Sequence, residues 1–211
     1  MIITKVEALT KQKSKVYVDE EFAFVLYRGE LRRYQIKEDT ELSEECYREI
    51  IDTVLTKRAK LRAMNLLIEK DYTEKKLRDK LTAGLYPEKC LEDAISYVKS
   101  YHYLDDDRYA RDFITYYRES RSRRKIQLDL MKRGIGKDIF DRAWQEVDDT
   151  EPNQTDEKKM IRELLQKRKY NAKTADQKEK QRNFGFLMRK GFSVDDIQSC
   201  MSDFEAETYE F

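Results

Sequence analysis

The chain has one histidine, two prolines, three cysteines and six glycines in 211 residues, and no long apolar run. Each shortage excludes something. With His102 alone, Cys–His pairs, Ser–His–Asp triads and histidine-rich metal sites all depend on one side chain that has no nucleophile motif beside it. Cys46, Cys90 and Cys200 are odd in number and far apart, which argues against a disulfide framework and fits a reducing, cytoplasmic setting. They read as small packing residues. Without a stretch of about 18 apolar residues no helix can span a membrane. The start, Met1-Ile2-Ile3-Thr4-Lys5-Val6-Glu7, lacks the apolar core of a signal peptide. A phosphate-cradling loop is missing too, because Gly134-Ile135-Gly136-Lys137 has neither the spacing nor a preceding strand. Net charge is almost absent, at +1. No enzymatic activity and no cofactor are expected.

What is present is charge of both signs and aromatic side chains. Charged residues make up 40% of the chain, yet 14 Tyr and 9 Phe are too many for a disordered polymer. The fold class expected is mainly α, with three tandem three-helix repeats in a curved elongated array behind a small β-rich N-terminal element. In residues 1–42, Ile2, Val6, Val16, Val18, Phe22, Phe24 and Leu26 alternate as strand positions do, with Asp19-Glu20-Glu21 as a turn and a short helix near 30–34. So few strands are barely stable alone and should pack on the helix that follows.

Residues 43–104 form the first repeat. Ser43 caps a long helix through Ile50, Val54, Leu61, Met64 and Leu67, and a break at 71–74 caps the next, with Leu77 and Leu81 inward. Gly84 is placed to end that helix left-handed, and Pro87 to open another. Residues 105–150 and 151–211 repeat the plan. Three residues before Gly84, Gly134 and Gly191 stand Leu81, Met131 and Met188; immediately after come Leu85, Ile135 and Phe192. Six, ten and thirteen residues beyond each glycine lie Cys90, Ala94 and Tyr97, then Phe140, Trp144 and Val147, then Ile197, Met201 and Phe204. The glycines are 50 and 57 residues apart, and offsets shared at such distances mark an array of like units. Upstream helices are expected over 60–71, 106–119 and 156–169, and a polar linker over 148–155, with Thr155 as a helix cap.

Order and spacing together resemble the RecX family, bacterial regulators of the RecA recombinase. The matching pieces are Thr73-Glu74-Lys75-Lys76-Leu77-Arg78-Asp79-Lys80-Leu81 with Gly84, the segment 103–110, Arg124-Lys125-Ile126 with Leu130 and Lys132-Arg133-Gly134-Ile135, and Phe186-Leu187-Met188-Arg189-Lys190-Gly191-Phe192-Ser193 with Ile197. The resemblance covers about residues 58–204. Glu119-Ser120-Arg121-Ser122 departs from it by lacking the Gly often found before the basic cluster, which puts the turn there in question. The resemblance implies a non-enzymatic protein that lodges in the groove of the RecA–DNA filament and blocks extension, ATP hydrolysis and strand exchange.

The charge pattern points to the same kind of partner. Between Arg108 and Lys137 there are ten Lys or Arg against three acids, whereas 138–150 is net −4 and the tail 192–211 has six acids and no Lys or Arg. Ordinary surfaces intersperse the signs, so segregation marks a steering surface. The candidate contacts are Arg108, Arg111, Arg118, Arg121, Arg123, Arg124, Lys125, Lys132 and Arg133, joined by Lys167, Arg168, Lys169, Arg182, Arg189 and Lys190. Arginine's planar fork suits phosphate and carboxylate alike, so single- or double-stranded DNA and an acidic protein surface both stay open as direct contacts. The alternative class is an autonomous DNA-binding helical protein that acts without RecA. A monomer is expected. Asp105-Asp106-Asp107 cannot face one another on a helix and read as helix-end acids, not a metal cage. Tyr109, Phe113 and Tyr116 share a helical face and are assigned to the core; Tyr101 and Tyr117 are the aromatics that could stack on bases if exposed, with packing the favoured reading.

Overall fold

The computed structural model describes residues 1–150, 156–202 and 204. The chain divides into two compact units, the first spanning Met1–Asp105 and the second beginning at Asp106.

In the first unit, β1 (Ile2–Ala8), β2 (Lys13–Val18) and β3 (Glu21–Tyr27) form an antiparallel sheet with the short β4 (Thr40–Glu41), in the order β3-β2-β1-β4. Asp19 and Glu20 both take positive φ (48° and 69°), the mirror-image turn whose twist suits a two-residue hairpin. Two irregularities shift the inward set. Between Ile3 and Lys5 the register of β1 slips by one residue, so Ile3 and Val6 turn inward and Ile2 lies 54% exposed. A second slip, between Val16 and Tyr17, leaves Phe22 exposed with its ring edge-on to Tyr17. The helix α1 (Arg28–Arg33) follows directly.

The sheet packs on the helix after it, as its size requires. Ile3, Val16, Phe24 and Leu26 share one core with Ile50, Leu55, Ala59, Leu77, Leu81 and Val98. Arg58 fastens the two: its guanidinium donates to the Val25 carbonyl (3.1 Å) and to Glu30, and lies over the Tyr27 ring.

The long helix is capped by Ser43 and runs as α2 (Glu44–Glu49), a π-helical stretch (Ile50–Leu55) and α3 (Thr56–Glu69). The wider π turn inserts a residue, so the buried stripe continues through Ile51, Leu55, Ala59, Ala63 and Leu66. Leu61, expected inside, is 52% exposed, while Val54, Met64 and Leu67 are only half-buried. Thr73 caps α4 (Glu74–Ala83), and Pro87, at the cap and not the first turn, precedes α5 (Glu88–Ser100).

The second unit holds α6 (Asp106–Tyr117), α7 (Arg123–Met131) and α8 (Lys137–Thr150), then α9 (Glu157–Lys167), α10 (Gln177–Lys190) and α11 (Val194–Ser202). The expected linker is partly helical, because α8 continues through Thr150. Thr155 lies outside the described residues, and Asp156 caps α9 by accepting from Lys158 and Lys159 N–H. Ser193 caps α11, its Oγ accepting from Asp196 N–H (3.1 Å) and donating to the Asp196 carboxylate (2.7 Å), so the carboxylate takes the hydroxyl and not the backbone N–H of a reciprocal capping box. Of the six tail acids, Asp195 and Asp196 fall within the described residues, in the first turn of α11.

The repeat is real, but its register differs from the glycine alignment. Gly84 has φ −79°; the left-handed residue of the first repeat is Leu85 (φ 61°), matching Gly134 (95°) and Gly191 (91°). Four residues before these lie Leu81, Leu130 and Leu187, all fully buried. Met131 and Met188, which the glycine alignment sets against the buried Leu81, are exposed. Beyond the left-handed residue, Leu91, Phe140 and Ile197 correspond, then Ala94, Ala143 and Cys200, then Ile95, Trp144 and Met201. Every member of these three sets is buried. The cause is the helix end itself. In the first two repeats the amide after the left-handed residue bonds the buried leucine's carbonyl, Tyr86 to Leu81 (3.5 Å) and Ile135 to Leu130 (3.1 Å), so geometry fixes the spacing, not the presence of glycine.

Candidate binding surface

The basic segment begins where α6 ends. The turn before α7 needs no glycine, since none of residues 118–122 has positive φ; Ser120 and Arg121 N–H both bond the Tyr117 carbonyl (3.0 Å each). Ser122 caps α7, its Oγ accepting from Lys125 N–H (3.2 Å).

The same Ser122 joins the second repeat to the third. Its hydroxyl donates to the Gly191 carbonyl (2.7 Å), and its N–H donates to the Lys190 carbonyl (3.1 Å). Beside it the Glu157 carboxylate accepts from Arg123 N–H (3.1 Å). The first turn of α7 thus rests on the last turn of α10 and the start of α9. Burial pushes the Glu157 carboxyl above the usual range, with Asp196 acting the same way, while the Arg123 amide opposes them.

Several expected contact residues are spent inside the second repeat. Arg118 is 4% exposed, donates to the Val147 carbonyl (3.3 Å) and lies 3.7 Å from Asp148, so its place is structural and not at a partner surface. Its charge was legible in the sequence, but its burial was not. Asp129, itself buried, gathers three more: Arg121 at 2.9 Å, Lys125 at 2.7 Å, and Arg133, which donates to the Asp129 carbonyl at 2.8 Å. Arg121 also lies over Tyr117 at 3.6 Å and Arg133 over Phe113 at 4.7 Å. Arg111 pairs with Glu146 (2.9 Å), and Arg123 pairs with Asp141 (3.6 Å) above the Trp144 ring. Arg108 is exposed. The aromatic assignment changes at Tyr116, which is 77% exposed: Tyr109, Phe113 and Tyr117 follow the four-residue helical spacing into the core, as packing favoured for Tyr117.

In the third repeat Arg168 donates to Asn183 Oδ1 (2.5 Å) and stacks over Phe186, which Lys190 also covers at 5.7 Å. Asn183 stands where Leu77 and Ile126 stand in the other repeats, and this buried amide holds Arg168 in place. Arg124, Lys132, Lys167, Lys169, Arg182 and Arg189 remain exposed, with no ion pair among the described residues. The Asp105–Asp107 acids serve the helix: Asp106 and Asp107 occupy the first turn of α6, and Asp107 pairs with Arg142 (2.8 Å). Burial raises all three cysteine thiols, which disfavours the reactive thiolate form.

A small antiparallel sheet and repeated three-helix units define a tandem-repeat protein, mainly helical. Comparison with known proteins gives the family. Residues 156–201 match the model for the RecX third three-helix domain. The chain is 31% identical to the regulatory protein RecX of Caldanaerobacter subterraneus subsp. tengcongensis over 96% of its length and 99% of the relative's. It is 32% identical to that of Clostridium perfringens over 94% of both chains. A crystal structure of regulatory protein RecX shares the fold, with TM-score 0.57, 22% identity and coverage of 96% of this chain and 99% of that one. The structure of RecX from Lactobacillus salivarius matches at TM-score 0.54 over 70% and 94%. The chain belongs to the RecX family of regulatory proteins. Among the described residues no helix is long and apolar enough to cross a membrane.

Proposed function

We propose that the chain is a non-enzymatic regulator that acts in the cytoplasm as a monomer, binds the RecA–DNA filament, and inhibits its extension, ATPase and strand exchange. Recombination and the SOS response are thereby limited. Membership in a family of regulatory proteins supports the reading. The observation that carries it is that six of the candidate contacts on the second and third repeats, Arg124, Lys132, Lys167, Lys169, Arg182 and Arg189, are exposed with no ion pair among the described residues. Arg111, Arg118, Arg121, Arg123 and Lys125 each lie beside an acid of their own repeat, so these six have more attraction to offer a partner. Several weak contacts on one compact unit add to a strong one when the partner repeats.

The test is RecA's DNA-dependent ATPase with added protein. Inhibition is expected, and a folded Arg124→Glu, Lys132→Glu, Arg189→Glu variant should inhibit much less. No inhibition by the unaltered protein at several-fold excess over filament ends refutes the reading. Sequence-dependent duplex binding with no effect on RecA would instead establish the autonomous DNA-binding class.

A further inference from the structure

We propose that Met131 and Met188 are paired apolar contact points on the cationic surface, and that they dock a protein partner whose acidic side chains border an apolar hollow. This rests on the reading of the chain as a regulator bound to RecA, and it assigns the contact to the protein component and not to nucleic acid. Both methionines stand three residues before a left-handed glycine, at one register of the repeat. The fold does not need them there. The buried position is filled one residue earlier, by Leu130 and Leu187, while Met131 is 50% exposed and Met188 41% exposed. The first repeat folds with exposed Thr82 and Ala83 at the corresponding two positions.

Each methionine is followed by an exposed, unpaired cation, Lys132 or Arg189. Leu128, 45% exposed one turn before Met131, widens the apolar spot on α7. The two stretches belong to one compact unit, because the Lys190 and Gly191 carbonyls at the end of α10 accept from Ser122 at the start of α7. From Arg123 to Met131, α7 then runs about 12 Å at 1.5 Å per residue.

The side-chain chemistry selects the partner. Phosphates along a nucleic-acid backbone reward cations and give nothing to a thioether. A flexible, polarisable methionine gains when it enters an apolar hollow, and the adjacent cation gains from a carboxylate at the rim. The same Met-then-cation element occurring twice suits a partner surface that also repeats.

The experiment measures binding of the full chain to RecA–DNA filaments, to RecA alone, and to bare single- and double-stranded DNA. The variants are Met131→Gln with Met188→Gln, and Met131→Thr with Met188→Thr, the latter matching the first repeat's residue. Since both side chains are exposed, unaltered thermal midpoints are expected. Filament affinity should fall about tenfold or more in each double variant, as expected when buried methionine contacts are lost, with bare-DNA affinity unchanged. Met131→Leu with Met188→Leu should retain filament binding. Unchanged filament affinity in folded Gln and Thr variants overturns the proposal. A parallel loss of DNA affinity also overturns it, placing the surface on nucleic acid. If the unaltered protein binds neither RecA nor its filaments, the regulator reading fails first and takes this proposal with it.

Discussion

Replacing Gly191 by alanine should separate the second repeat from the third. Gly191 sits at φ 91°, and a Cβ built there would lie 2.4 Å from Lys125 Cβ, 2.6 Å from Ser122 Oγ and 3.2 Å from Lys125 Cα. Two of these three atoms are a β-carbon and backbone, so no flexible side chain can swing clear. Left-handed backbone costs a non-glycine residue about 1 kcal/mol. Forcing a methyl into filled space costs about 1–3 kcal/mol, and opening the joint forfeits the Ser122–Gly191 hydrogen bond, worth about 1 kcal/mol. A loss of about 3–5 kcal/mol follows for the second unit, equal to a fall of about 12–25 °C in its melting temperature for a unit of this size. Thermal unfolding followed by circular dichroism measures it, with Gly29→Ala as control. Gly29 lies in α1 with nothing within 4 Å of its would-be Cβ, so the control should be neutral or stabilised by less than about 1 kcal/mol. If Gly191→Ala melts with the unaltered protein, the joint does not have the tightness argued here.

Two other perturbations reach the same unit. Asp129→Ala removes the counter-charge of Arg121 and Lys125, and should destabilise by about 2 kcal/mol in urea unfolding, chiefly because two half-buried cations lose their partner. Glu157→Gln tests the joint electrostatically. The Glu157 carboxyl is raised above 4.5 by burial, so the fold holds its proton more tightly than the unfolded chain does. Its contribution therefore favours the fold at acid pH and is lost as pH rises through the folded value. Glutamine, which keeps an oxygen for Arg123 N–H, should raise the melting temperature at neutral pH and flatten its decline above about pH 4.5. An unchanged pH profile would refute the assignment.

The sequence by itself determined the repeat count, the helix caps at Ser43, Thr73 and Ser193, and the N-terminal strands, because capping and periodicity depend on neighbours a few residues away. It did not determine which face of each helix turned inward. A π turn moved the stripe to Leu55 and Ala59, a bulge turned Ile3 inward, and the left-handed residue of the first repeat proved to be Leu85 instead of Gly84. One inserted residue rotates every later position, and composition carries no record of the insertion. The cationic segment was equally legible as charge and illegible as surface. Only tertiary structure decided that Arg118 is buried, that Asp129 gathers Arg121 and Lys125, and that Arg124, Lys132 and Arg189 remain open. A charge is a property of one residue, but its availability depends on which residues folding brings within a few ångströms of it.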